Sequence, residues 1–260
     1  DFRWRKRRID AWPKQIKINA SFEVALDAEL AARFALQNLE KLPLHAAVVH
    51  IIGAGPAGLF AALEAIVRGI KPILFERGKD IRSRRRDLAQ LTKNQTLNPE
   101  SNYCFGEGGA GTYSDGKLYT RSKKRGDVQK VLEWLVQFGA KEDILIDAHP
   151  HIGTNKLPQL IEAIRLQIIA AGGEIHFENK LTDIHLDNNV ISSNQINGLT
   201  EMPVQNLVLA TGHSARDIFE LLHRHQIDLK AKPFALGVRV EHTQAYIDGL
   251  QYHGRLSDAY

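Results

Sequence analysis

The hydrophobic pattern of the chain changes period several times, and each change marks an element. Val48–Ile52 is a short β-branched run, as in a strand buried on both faces. After a glycine-rich turn, Leu59, Leu63, Ile66 and Val67 recur at helical spacing, and Gly69 stands where a helix C-cap belongs. Pro72–Phe75 predicts a second strand, ending on Glu76. Upstream, Gln15–Val24 alternates as a strand does, with Ile16, Ile18, Ala20, Phe22 and Val24 on one side. The Ala/Leu-rich Leu26–Leu42 predicts a helix, closed by Leu42-Pro43-Leu44. Downstream, Asp127–Phe138 and Leu157–Ala170 are amphipathic helices followed by Gly139 and by Gly172-Gly173. Glu174–Glu178, Leu181–Leu186 and Val190–Gln195 predict short strands, the last two joined by Asp187-Asn188-Asn189. Asn197-Gly198 is a hairpin turn into a further strand, so this stretch reads as an antiparallel meander between parallel elements. Asn206–Gly212 runs four apolar residues into Thr-Gly, as a buried parallel strand should. Ser214 is a candidate helix cap with Asp217 three residues on, and Phe234–Val240 is a last strand candidate.

The expected fold is α/β: a Rossmann-like parallel sheet of the FAD/NAD(P)-binding kind with an inserted meander. Its boundaries fall at 1–45 (remnant of a small leading α/β module), 46–230 (dinucleotide-binding domain, meander near 174–204) and 231–260 (start of a second, substrate domain). The turn itself is Gly53-x-Gly55-x-x-Gly58. Gly53 permits the tight turn, Gly55 lets a pyrophosphate approach the backbone, and Gly58 lets the helix pack on the strand. The helix N-terminus offers unpaired N–H groups to phosphates. Glu76, 23 residues after Gly53, stands near the spacing at which a carboxylate receives a ribose diol. It also disfavours a 2′-phosphate, an argument that the adjacent Arg77 weakens. The bland alternatives are a Gly-rich turn in any α/β protein, or a membrane span, since Ala46–Leu63 carries no formal charge over 18 residues. Three glycines and a proline arranged as a turn fit strand–turn–helix better than a lipid helix.

Composition alters little of this. The 260 residues are 43% hydrophobic, ordinary for a globular protein, and the single cysteine excludes an intrachain disulfide framework and fits a reducing cytoplasm. The formal net charge is +4, with basic clusters at Arg3–Arg8, Arg82–Arg86 and Arg121–Arg125. No aromatic interleaving or reader motif accompanies them, which argues against nucleic acid as a partner. A second glycine-rich stretch, Asn102–Arg121, has Gly106, Gly108, Gly109, Gly111 and Gly116. Such a loop can lay N–H groups along an anionic or planar ligand, and its Tyr103, Phe105, Tyr113, Leu118 and Tyr119 are costly to leave in water. Cys104 lacks a second thiol for two-thiol redox chemistry. His151 and His213, beside Gly-rich turns, are candidate acid/base groups, and Lys117 and Arg239 candidate anion contacts; in each case a structural or surface role is the commoner one. His223 and His225 are spaced i, i+2, which does not place both on one helix face, so no metal site is expected. No catalytic residue can be named.

The order of these features resembles the glutathione-reductase-like flavoprotein superfamily. More closely, Asn102–Arg121, Pro150–Leu157, Ala210–Phe219, Lys232–His242 and the Arg8-Ile9-Asp10-Ala11 region resemble the bacterial FAD-dependent dehydrogenase family, over nearly the whole chain. The resemblance implies an FAD-dependent oxidoreductase of unknown substrate, with a small-molecule substrate, NAD(P)H as candidate reductant and no membrane. Gly53, Gly55, Pro56, Ala57 and Gly58 would hold the pyrophosphate, and Glu76, with Arg77 beside it, the adenosine ribose. An arginine among Arg82–Arg86, with Arg84 central, and the backbone of Gly108, Gly109, Ala110 and Gly111 would support phosphates or flavin. Leu181 would face adenine, and Thr211-Gly212 would pass close to the cofactor. The late Gly-Asp strand of such proteins is missing before Tyr260, so the chain reads as an N-terminal portion. The alternatives kept beside this reading are an FAD-linked nucleic-acid-modifying enzyme and a non-catalytic flavoprotein fragment.

Overall fold

Parallel pairing organises the molecule. The computed structural model describes residues 1–10, 17–26, 29–120, 126–153, 155–234, 236–238 and 240–252; Arg121–Arg125 and Arg239 lie outside them. Strands β1 (Phe2–Asp10) and β2 (Lys17–Val24) form an antiparallel hairpin with a bulge between Trp4 and Lys6. The main sheet then begins with β3 (Val48–Ile52), α1 (Pro56–Val67) and β4 (Lys71–Glu76). Next come α2 (Ile81–Asn94), α3 (Val128–Gln137) and α4 (Leu157–Ala170). Strand β5 (Glu174–Phe177) precedes the meander β6 (Leu181–Asp187), β7 (Val190–Ile196) and β8 (Thr200–Pro203). Last come β9 (Leu207–Leu209), α5 (Arg216–Arg224) and α6 (Gln244–Tyr252). The parallel sheet has the order β5-β4-β3-β9, and β6-β7-β8 is a separate antiparallel sheet. The chain is thus the mixed α/β fold that its pattern predicts.

Alternation along the strands decides what covers each face. Ile51 and Leu74 point to one side, where Ala62, Leu63 and Ile66 of α1 and Ile164 and Ile168 of α4 bury them. Ile52 and Phe75 point to the other, where Leu181, Ile184 and Ile196 of the meander and Ile218 and Leu221 of α5 close over them. Each such side chain is worth about 2 kcal/mol of transfer free energy. Both layers therefore hold the strands with their C-terminal ends free, and the loops leaving β3, β4 and β9 meet there. Among the described residues no helix is long and apolar enough to cross a membrane.

Five features differ from the sequence pattern. The described part of 26–42 is not helical, because its polar groups are taken by other elements. Leu39 inserts into the core, Gln137 bonds both the N–H and the C=O of Gln37, Gln167 donates to Leu39 O, and Leu42 N–H donates to Ala171 O. Intrinsic helix propensity is too weak to compete with that set. The strand at 174–178 joins the parallel sheet beside β4 instead of the meander, through Ile175 opposite Leu74. Strand β9 is an edge strand with Val208 and Leu209 exposed, not buried on both faces. Helix α5 has Ala215 as its N-cap and no side-chain cap: Ser214 stands one residue too early, and Asp217 is taken by Arg77 and Lys180. The described residues of 234–240 form no strand; Phe234, Leu236, Val238 and Val240 are exposed, with no strand beside them to complete a ladder.

Candidate functional site

At the C-terminal ends of β3, β4 and β9 lies a cleft of about 360 Å³. The β3–α1 turn forms its floor. Gly53, at φ +103°, gives its N–H to Phe75 O (2.8 Å), and a Cβ there would stand 2.5 Å from Ala210 O. A Cβ on Gly58 would stand 1.9 Å from Gly53 O, so Gly58 closes the turn from inside and does not face the cleft. Gly55 is different: a Cβ there would meet no protein atom nearer than Gly109 Cα at 3.8 Å. It also caps α1, whose N-terminus has Pro56 first, no side-chain cap and no acid in its first turn. Unpaired N–H groups and the positive end of a 12-residue helix thus meet open space beside a glycine that packing does not require.

Glu76 joins the walls. It is 5% exposed; Oε2 accepts from Ala54 N–H (2.8 Å), and Oε1 accepts from Gly78 and Gly106 N–H (both 2.9 Å). It lines the cleft while clamping three loops, and Oε2, with one protein donor, keeps a lone pair for a ligand hydroxyl. Arg77 also lines the cleft, but its guanidinium is taken: it pairs with Asp217 and Glu100 (3.3 Å to Glu100) and lies 4.5 Å above the Phe105 ring. Lys180 completes this network, 2.8 Å from Glu100 and 3.2 Å from Asp217. Burial alone would raise the Asp217 carboxyl, but Arg77 and Lys180 outweigh it and hold the group below its ordinary value.

The opposite wall is the glycine-rich loop, and here the sequence reading and the geometry diverge. Gly109 and Ala110 line the cleft. Gly108 is packed beneath them, where a Cβ would meet Thr112 and Ile161, and Gly111 lies beyond the cleft at the end of a short 3₁₀ turn. Arg84 does not reach the cleft. At 1% exposure it donates to the carbonyls of Asn102 (3.0 Å), Tyr103 (3.2 Å) and Glu107 (2.7 Å) and to Thr112 Oγ1 (3.0 Å). It therefore shapes the loop from behind and does not line the cleft. Glu107 is fully buried; Oε2 accepts from Ile81 N–H (2.9 Å), and Arg165 Nε lies 2.9 Å from Oε1, off the N–H direction. Burial pushes the Glu107 carboxyl up to about 7, against the pull of Ile81 N–H and Arg165.

The structure therefore brings Gly53, Gly55, Pro56, Ala57, Glu76, Arg77, Gly109, Ala110, Leu181, Thr211 and Gly212 to one cleft, and leaves Gly58, Arg84, Gly108 and Gly111 behind it. Ala210 and Ile218 of the Ala210–Phe219 stretch also line it, as do Phe75 and Asn179, which carried no signal for the site because their place depends on how the strands pair. Cys104 and His213 stand on its wall; His151 bridges to Lys117 elsewhere. Lys117 pairs with Asp115, and His225 with Asp183 at 2.6 Å. Among the described residues no group of three or more His, Cys, Asp or Glu could hold a metal.

No protein-family model matches the chain. It is 43% identical over 202 residues to an uncharacterized protein of Clostridium beijerinckii, across 78% of this chain and 38% of the relative, so it spans well under half of that protein's length. Similar solved structures include Thermovibrio ammonificans THI4 (17% identity, 70% of this chain, 64% of that chain, TM-score 0.46). Two others are the 3-ketosteroid-delta4-(5alpha)-dehydrogenase of Rhodococcus jostii RHA1 (14%, 67% and 49%, TM-score 0.40) and CtdE in complex with FAD (17%, 67% and 41%, TM-score 0.35).

Proposed function

We propose that this chain holds FAD for an oxidoreductase that acts on a small-molecule substrate. The observation that carries this reading is Gly55: it stands at the uncapped N-terminus of α1, where a Cβ would meet only the cleft. The residues present fit the group. Gly55, Pro56 and Ala57 present the helix end to a pyrophosphate, and Glu76 Oε2 retains a lone pair for a ribose hydroxyl. Gly109, Ala110, Thr211 and Gly212 offer low walls to a planar ring system. Arg77, bound by two carboxylates, is not free for a 2′-phosphate, which supports FAD over a 2′-phosphorylated dinucleotide. When bound, FAD supplies the hydride or electron transfer, with NAD(P)H as candidate reductant; this chain's residues hold and orient it.

The test is the visible spectrum of the purified chain after incubation with FAD and gel filtration. Flavin bands should co-elute with the protein and be lost in Gly55→Trp, while the circular dichroism spectrum stays unchanged. A folded wild-type protein that carries no flavin would overturn the reading.

A further inference from the structure

The β1–β2 hairpin is tied to the body along one edge. Arg7 N–H donates to Ile146 O (2.8 Å), Ala148 N–H donates to Arg7 O (3.0 Å), and the Arg7 guanidinium binds Asp147 at 2.8 Å. The pairing register puts Arg7, opposite Ala20, on the face of Trp4 and Phe22. Lys6 and Arg8, opposite Ser21 and Asn19, therefore share the other face. With Arg5 at the bulge they form one wall of an open cleft of about 850 Å³, whose other walls are residues 118–120, the start of α3 and residues 144–150.

The charges in this cleft are unbalanced. Its carboxylates are engaged: Asp147 holds Arg7, and Asp127 caps α3 by accepting from Lys130 N–H. Nearby Glu23 is bound to Arg3 and lies 3.6 Å from Arg5. Lys6 and Arg8 have no ion pair among the described residues. On the facing wall of the same cleft Tyr119 packs at 4.5 Å on His149 and remains 52% exposed. An aromatic ring facing a basic row is what the sequence lacked; it arises only because the fold joins segments more than a hundred residues apart.

We propose that this cleft binds an anionic ligand of nucleotide chemistry, with phosphates on Arg5, Lys6 and Arg8 and a base against Tyr119. Cations alone would accept any polyanion; the open ring facing them favours a ligand that carries both phosphate and a planar base. Such a ligand comes either as a free nucleotide or as a single-stranded nucleic acid. The proposal stands apart from the flavin reading, because none of these residues lines the first cleft.

Fluorescence anisotropy with labelled oligouridylate and labelled ATP, at about 50 and about 200 mM salt, tests it. Lys6→Glu/Arg8→Glu should weaken binding by more than about tenfold, and Tyr119→Ala by about fivefold. Lys93→Glu, an exposed cation on α2, should leave binding unchanged. Oligouridylate binding with a log–log salt slope of about −2 assigns a strand, as three phosphate contacts predict. ATP binding alone assigns a free nucleotide. Lys6→Gln/Arg8→Gln repeats the measurement should the charge reversal perturb folding, as read by circular dichroism. Failure of both probes to bind, or binding indifferent to Lys6 and Arg8, overturns the proposal.

Discussion

The β3–α1 turn keeps its shape with almost no side chains, whereas the loop facing it across the first cleft, residues 100–112, is held by side chains that arrive from elsewhere. In the turn, backbone meets backbone: Gly53 lies against Ala210, and Gly58 against Gly53. In the loop, the Arg84 guanidinium from α2 gathers four carbonyls and a hydroxyl. Glu107 reaches out to α2 and α4, and Glu76 from β4 accepts Gly106 N–H. Glycines are abundant in both, but they do different work. In the turn they permit close approach; in the loop several make room for Arg84 and Thr112. A turn of the first kind is rigid by exclusion. A loop of the second kind is as stable as the buried charges behind it.

Removing Arg84 breaks that loop most severely. Arg84→Ala strips partners from the carbonyls of Asn102, Tyr103 and Glu107 and opens a cavity, at about 4 kcal/mol. Urea denaturation should show the loss, and hydrogen exchange should find the amides of 104–112 unprotected. Arg84→Lys should rescue little, since an ammonium cannot reproduce the planar fork. Unchanged protection of those amides in Arg84→Ala would mean that the loop holds itself. The matching change in the turn is Gly58→Ala. Its Cβ would fall 1.9 Å from Gly53 O, and neither backbone can yield without shifting α1 from β3, at about 3 kcal/mol. Equal stability of Gly58→Ala and wild type would refute the close packing.

The contrast explains what was legible in the sequence. The turn is a local pattern: Gly53, Gly55, Gly58 and Glu76 lie within one strand–helix–strand unit, and the period of Leu59, Leu63 and Ile66 dates the helix. The parallel strands and the Asn197-Gly198 hairpin were readable for the same reason. Arg84 was visible as part of a basic cluster, yet nothing local tells an arginine aimed at solvent from one buried on loop carbonyls. The pairing of Glu107 with Arg165 spans two elements and left no periodic trace. Residues 29–42 misled because their Ala/Leu content favours a helix that Gln137 and Gln167, far along the chain, displace. The cleft's floor was thus readable, and so were Gly109 and Ala110 of its far wall; the Arg84 and Glu107 contacts that hold that wall were not.

A smaller effect separates the two walls by pH. Burial raises the Glu107 carboxyl from 4.5 to about 7, so the folded protein holds a proton between those values that the unfolded chain releases. Stability on that account is greatest below pH 4.5 and falls as pH rises to about 7, by about 3 kcal/mol. Glu107→Gln stays neutral, keeps an acceptor for Ile81 N–H and should flatten that slope. Thermal midpoints across pH 5 to 8 for both proteins check it; a slope unaltered in Glu107→Gln would assign the pH dependence to other groups.

The smallest effect on stability is expected at Gly55, and it sharpens the comparison most. Its backbone is extended at φ −74°, which any residue adopts, and its nearest prospective neighbour is 3.8 Å away. Gly55→Ala should therefore fall within about 0.5 kcal/mol of wild type, or gain slightly from a less flexible unfolded chain. Flavin retention should nonetheless drop, because the added methyl occupies the space through which a pyrophosphate reaches the α1 amides. On the proposed reading glycine 58 serves the fold and glycine 55 the ligand, so Gly58→Ala and Gly55→Ala should divide cleanly between lost stability and lost binding. Destabilisation at Gly55 equal to that at Gly58 would mean that all three serve packing, and the open helix end would lose its claim to a ligand.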